Sequence, residues 1–365
     1  MPFFEYEAVV AKCRCLYGKL LTPNDYENLL KCQDVSDIAF YLHGSTAYGE
    51  FIDSHDLRKI KRNKLEYYIK KSMLADYLKM YKFTSGNQRH FISLLMAKYE
   101  FEYILRVWRD YVLKDAGENE SIDGGDYVFN ERFLEIQAIY RNNPRIDIEA
   151  LKNIANAGQF INAIRNSEYF YVFEKHINKD ISKNYTEIET AVYDEYYKIL
   201  YDGAEFFDKD IKEKIQDGIS SRTDLINLCR ISRLKFNFRA GPEEIRAMLV
   251  PVRNRLKPDD ITALINCDIM ENFLEYCEFN LYYGKKQSFY DYDSVTAYTD
   301  AFLYKYYKSK INIPSSGFEV VVRYFHLKEY EIINLFYLTE GIRYKMPQDY
   351  IRKNIYGLDN ISERG

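Results

Sequence analysis

Apolar residues return along this chain at intervals of three and four, the spacing of one helix face. Tyr6, Val9, Val10, Cys13, Tyr17, Leu20 and Leu21 keep that register, and Thr22-Pro23-Asn24-Asp25 ends the run and opens the next. Between Asp25 and Leu42 the positions Leu29, Leu30, Val35, Ile38 and Leu42 form one apolar side, and Gly44 with Ser45 closes the segment. A charged stretch, Arg58-Lys59-Ile60-Lys61-Arg62-Asn63-Lys64, leads into a helical pattern over 65–80, and Thr84-Ser85-Gly86-Asn87 separates it from another over 91–113. Further on, Asn142-Asn143-Pro144 marks a first turn and Asp217-Gly218 precedes a helix. Gly241-Pro242 marks a break, since proline suits a first helical position. Ile313-Pro314-Ser315-Ser316-Gly317 stops one helix, and Ser316 with Glu319 has the form of a capping box. Val320-Val321-Val322 alone suits a strand. Phe318, Val322, Phe325, Ile332 and Phe336, however, keep one side over a span too long for one. The pattern predicts an all-α fold.

The plan occurs three times at a spacing of a little over one hundred residues. Leu30 stands eighteen residues before Tyr48, Leu151 eighteen before Tyr169, and Leu264 eighteen before Tyr282. A second anchor follows each tyrosine. Lys98-Tyr99-Glu100 opens a helical run that aligns with Arg222-Thr223-Asp224 and with Glu329-Tyr330-Glu331. The acids stand 52, 55 and 49 residues after the three tyrosines. Such a unit exceeds the roughly 20–50 residues of ordinary solenoid repeats, so each is expected to be a small helical bundle. The expected organisation is three homologous bundles, 1–115, 128–240 and 241–358. Segment 116–127, with glycines among acidic residues, is expected to be a solvated connector, and 359–365 a frayed tail.

Charge and composition narrow the function. The 51 basic and 55 acidic residues leave a net charge of −4, with no global electrostatic footprint for nucleic acid, and none is expected as a partner. No apolar run approaches the roughly 18 residues needed to span a bilayer, so the protein is expected to be soluble or peripheral. Met1-Pro2-Phe3-Phe4-Glu5 lacks the features of a signal peptide; a cytoplasmic location with six reduced cysteines is expected.

Candidate chemistry is sparse. Cys13-Arg14-Cys15 with Cys32 offers thiolates, but helical residues two apart point about 200° apart and cannot grip one ion together. His43, His55, His90, His176 and His326 lack the spacing of a zinc site. Neither a phosphate-cradling glycine loop nor a Gly-x-Ser-x-Gly elbow is present, and Asp259-Asp260 after Pro258 reads as the first turn of a helix. No catalytic residue, metal, cofactor or small-molecule substrate is expected. The basic run 58–64 is either a solvated helix face or a contact for anionic headgroups or an acidic partner. The 36 tyrosines suit packing or interfaces. The repeated anchor is the candidate site. Glu100, Asp224 and Glu331 occupy equivalent positions, and Arg106, Arg109, Arg230 and Arg233 follow six and nine residues later in the first two copies. Six residues rise about 9 Å along a helix, too far for a direct pair. These residues are candidates for ion pairs between helices or for a partner interface.

The stretch Ala11-Lys12-Cys13-Arg14-Cys15-Leu16-Tyr17-Gly18-Lys19-Leu20-Leu21, followed by Leu29-Leu30, Leu42 and Thr46-x-Tyr48, resembles the opening of a stalk component of the vacuolar/archaeal-type (V-type/A-type) rotary ATPases. Its family is known as the C-type stalk component in prokaryotes and the d-type in eukaryotes. Leu327-Lys328-Glu329-Tyr330-Glu331-Ile332-Ile333-Asn334-Leu335, then Gly341-Ile342 and Pro347-x-x-Tyr350-Ile351-Arg352, is similar to that family's terminal helix and tail. Asp224-x-x-Asn227-Leu228-x-x-Ile231-x-Arg233 is similar to its middle anchor. The chain departs from the family pattern at Lys12, at Tyr103-Ile104 and at Leu249-Val250-Pro251-Val252-Arg253. The resemblance implies three helical bundles in a pseudo-threefold funnel within the central stalk. It further implies a non-catalytic role coupling the rotary ATPase shaft subunits to the membrane ring subunits in proton or sodium transport, peripheral to the membrane on its cytoplasmic side. A soluble helical-repeat adaptor unconnected with ion transport is the alternative that the residues leave open.

Overall fold

The computed structural model describes residues 6–55, 57–115, 145–176, 185–280, 294–311 and 317–358. The 116–127 connector, the turn at 142–144, Tyr282, the helix stop at 313–316 with its capping box, and the 359–365 tail lie outside the described residues. Among the described residues every regular element is helical, so the all-α expectation holds. Packing divides the chain into two compact units, Met1–His90 with Phe207–Ile215 and Glu271–Gly365, and Phe91–Phe206 with Gln216–Met270.

The first unit contains α1 (Glu7–Tyr17), α2 (Pro23–Leu29), α3 (Val35–Ser45) and α4 (Arg62–Phe83). From α5 (Gly86–Asp115) the chain continues into the second unit with α6 (Ile148–Lys152), α7 (Ala157–Ala163), α8 (Phe170–His176) and α9 (Tyr185–Gly203). Next come α10 (Lys209–Ser232), whose residues up to Ile215 belong to the first unit, α11 (Pro242–Ala247) and α12 (Pro258–Asn266). After α13 (Met270–Asn280), the helices α14 (Val295–Ile311), α15 (Glu319–Arg343) and α16 (Gln348–Lys353) belong to the first unit.

In the first unit α15 is the central element, with α1, α3, α4, α14 and α16 packed on it. Its Val320, Val321, Val322, Phe325 and Leu327 are all buried, as expected of a helix apolar on every side. Phe325 stacks on Tyr77 of α4 with ring centroids 3.8 Å apart. The apolar run between Asp25 and Leu42 is two helices. Thr22 and Asp25 form a reciprocal capping box at α2, whereas the Asp34 carboxylate accepts the Ser36 and Asp37 N–H groups and starts α3 anew. Gly18 ends α1, so Leu20 and Leu21 lie in the link rather than the helix. Cys13 is buried and Cys15 exposed, as opposite helix faces require.

In the second unit Trp108 of α5 is fully buried, its ring 4.8 Å from Phe160 and 6.0 Å from Phe173. Phe101 meets the edges of Tyr169 and Tyr193 at 5.5 and 4.8 Å. Asp217-Gly218 does not precede the anchor helix but lies inside α10, which starts at Lys209. Buried Ile211, Ile215 and Ile219 carry the apolar face through the glycine, and that burial outweighs the roughly 1 kcal/mol cost of glycine in a helix interior. Gly241 caps α11 with Pro242 at its first position.

Candidate functional site

The three acids aligned in the sequence are all buried, with 2% of Glu100, 0% of Asp224 and 4% of Glu331 exposed. A buried carboxylate needs donors, and each meets a different set of neighbours.

On α15, Lys328, Glu331 and Asn334 stand three apart and share one stripe. Glu331 Oε1 accepts the Tyr48 hydroxyl at 2.7 Å and Lys328 Nζ at 2.7 Å. Its Oε2 accepts the backbone N–H of Leu21 at 2.5 Å, in the link that opens α2. Lys328 Nζ also donates to the Tyr48 hydroxyl at 3.0 Å and lies 4.3 Å from the ring centroid. Burial and the Glu331 charge push the Tyr48 hydroxyl well above the usual phenol range, so it stays a donor. Tyr48 sits on a short 3₁₀ turn, Ala47–Glu50, capped by the Thr46 hydroxyl. Asn334 completes the stripe. Its side chain accepts the Tyr356 N–H at 2.9 Å and donates to the same residue's carbonyl at 2.9 Å.

Asp224 on α10 takes three backbone donors, the N–H groups of Asn254 at 3.0 Å, Arg255 at 2.7 Å and Leu256 at 3.1 Å. Successive N–H groups converging on one anion form a concave seat for negative charge. One turn on, Asn227 grips Val250 as Asn334 grips Tyr356, accepting its N–H at 2.8 Å and donating to its carbonyl at 3.1 Å. A further turn on, Arg230 donates to the Met248 carbonyl at 2.7 Å and pairs with Asp194 of α9 at 2.8 Å. One helical stripe thus holds the segment 248–256, which leads into α12, at three heights.

The Glu100 seat is different. Its Oε2 makes no hydrogen bond among the described residues, and neither do the buried Ser167 and Tyr169 hydroxyls. Burial raises the Glu100 carboxyl to about 7, opposed by the Arg145 charge and reinforced by Glu168. Arg145 pairs with Glu168 at 2.8 Å. Tyr103 occupies the position of Asn227 and Asn334, so the amide that clamps a backbone in the other two copies is missing here.

The candidate arginines separate. Arg230 forms a pair between helices, with Asp194 of α9 as its partner. Arg106 and Arg109 line a surface cavity of about 240 Å³ together with Glu102, Glu189, Tyr185 and Tyr193, where the charges of the two signs balance. Arg233 is exposed. Asn227, Lys328 and Asn334 enter the sequence reading only as positions of the family resemblance, not as candidate site residues, and Asp194 does not enter it. The available signal was an asparagine three residues after the acid in two of the three aligned stretches, Asn227 and Asn334.

These seats hold backbone and phenol groups in fixed register. Among the described residues no helix is long and apolar enough to cross a membrane. A search of curated protein sequences finds no match. The family model described as ATP synthase (C/AC39) subunit matches residues 9–354, nearly the whole length, and its span takes in all three seats. The chain therefore belongs to the ATP synthase (C/AC39) subunit family, whose members are central-stalk subunits of V/A-type ATPases.

Proposed function

We propose that this chain is a non-catalytic coupling subunit that links the rotating shaft of a V/A-type ATPase to its membrane ring of ion-carrying subunits, in proton or sodium transport. It would be bound peripherally on the cytoplasmic side through the complex. In this proposal the three homologous bundles 1–115, 128–240 and 241–358 are the mechanical units, and their anchor helices are the joints.

One observation carries the proposal. Two of the aligned acids hold distant backbone, Asp224 the segment 254–256 and Glu331 the Leu21 N–H together with Tyr48, and in the bundle organisation proposed here these are bonds from the second bundle to the third and from the third to the first. An element that passes torque must not shear, and buried charges with several converging donors fix one packing register. Under the proposed three-bundle organisation, such interlocking accounts for a division of the chain into two packing units rather than three.

The test is recovery of the tagged protein from gently solubilised native membranes, with identification of what accompanies it. Ring and nucleotide-binding subunits in the same complex are the expected result. Recovery from the soluble fraction alone, without them, would sink the proposal and favour a soluble adaptor.

A further inference from the structure

The end of α10 is irregular. It leaves through a π-turn, Arg233–Asn237, and the chain then passes through Arg239 at φ 55, a left-handed conformation uncommon for a residue with a side chain. The turn is nonetheless tied down. Phe238 N–H donates to the Arg233 carbonyl at 3.1 Å and Ala240 N–H to the Leu234 carbonyl at 2.9 Å. Lys235 Nζ donates to the Ile265 carbonyl at 2.5 Å, and the Ser232 hydroxyl lies 3.8 Å from Met270 Sδ. These last two bonds bracket the segment 265–270 against the turn. Phe238, 67% exposed, and Ile269, 50% exposed, are therefore two large apolar side chains presented to water on neighbouring segments of one unit.

Their surroundings are cationic. The two segments themselves, 232–240 and 265–270, carry Arg233, Lys235 and Arg239 against one acid, Asp268, and the sequence between Arg230 and Lys257 has eight basic and two acidic residues in a chain of net −4. Arg230, Lys235 and Arg246 serve internal bonds, and Arg253 donates to the Pro251 carbonyl. Arg233, Arg239, Arg246, Arg253, Arg255 and Lys257 are exposed. An aromatic anchor with cations around it is the make-up of a protein interface rather than of an indifferent surface. Charge segregation of this kind selects a negatively charged partner and speeds its encounter.

We propose that the turn 232–240 together with 265–270 is a docking surface for an acidic segment of another protein, which sets an apolar side chain against Phe238 and Ile269 and carboxylates against Arg233 and Arg239. An anionic bilayer is the less fitting occupant. Membrane-surface binding draws on an amphipathic helix with a broad apolar face, whereas here one apolar side chain stands on a short pinned turn and the other on the segment bonded to it. The proposal rests on the stalk role only in that the partner is taken to be another component of the same assembly.

The experiment places a benzophenone-bearing phenylalanine at position 238, assembles the complex in native membranes and irradiates it. The expected product is a cross-link to an Asp/Glu-rich peptide of another subunit. The double variant Arg233→Glu, Arg239→Glu should lower its yield at least about tenfold, because juxtaposed like charges oppose docking. Arg233→Lys with Arg239→Lys should retain it. An intact complex that cross-links only to lipid or to nothing, or whose yield ignores charge reversal, overturns the docking surface and leaves the stalk role standing. If the unsubstituted protein brings down no ATPase subunit, the stalk role fails, and this proposal with it.

Discussion

The Tyr48 hydroxyl donates to the Glu331 carboxylate at 2.7 Å, joining residues 283 positions apart in the chain. With Lys328 on the same oxygen and the Leu21 N–H on the other, the first unit closes three separate stretches of backbone on one buried charge.

Glu331→Gln leaves the Lys328 ammonium buried without its counter-charge, and stability should fall by about 3–5 kcal/mol. Tyr48→Phe removes one donor and should cost about 1–2 kcal/mol. Urea denaturation followed by circular dichroism measures both, and an unfolding midpoint for Glu331→Gln equal to that of the unsubstituted protein would refute this account of the seat.

Asp224→Ala strands three backbone N–H groups, and the loss should be about 3 kcal/mol or more. Asp224→Asn keeps one acceptor oxygen and should be milder. Hydrogen exchange localises the effect. Amides 254–256 should exchange faster in both variants, in the same order of severity, while unchanged protection there would show that the seat is dispensable.

Glu100 makes stability depend on pH with an unusual sign. Its folded-state value of about 7 lies above the ordinary carboxylate value of 4.5, so between those limits the folded protein binds more protons than the unfolded one. Its contribution favours the folded state below pH 4.5 and is lost as pH rises through 7, about 3 kcal/mol in all. Glu100→Gln should therefore flatten the decline in stability between about pH 5 and 8 and raise stability at the upper end of that range. A slope identical to the parent's would count against the assignment.

Gly49 follows Tyr48 on the 3₁₀ turn, and a Cβ there would stand 2.3 Å from the His43 carbonyl oxygen. Because the obstacle is backbone, the turn must shift, and Gly49→Ala should cost about 1–3 kcal/mol. The shift displaces Tyr48. The double variant with Tyr48→Phe should accordingly be less destabilised than the two single losses combined, and strict additivity would mean that the turn and the seat are not coupled.

Helical periodicity made most of the fold legible, because apolar spacing directly records which face of a helix is buried. It failed where other local features overrode it. Asp34 restarts a helix inside an unbroken apolar register, and Gly218 sits inside α10 because the isoleucines around it keep the face continuous. Of the candidate site, Glu100, Asp224 and Glu331 were marked by their alignment in the sequence, and all three are buried. Arg230's partner Asp194 was not, since it lies on a separate helix 36 residues away.

The all-α fold and the family likeness are legible in the amino-acid order, because helical spacing and motif residues are local. What each acid holds emerged only with the folded chain. The donors to Asp224 are the N–H groups of Asn254, Arg255 and Leu256, which every non-proline residue possesses and no side-chain pattern can mark. The Leu21 donor to Glu331 comes from 310 positions away. Pairings of that kind follow from how helices pack, and packing is settled only when distant segments have come together.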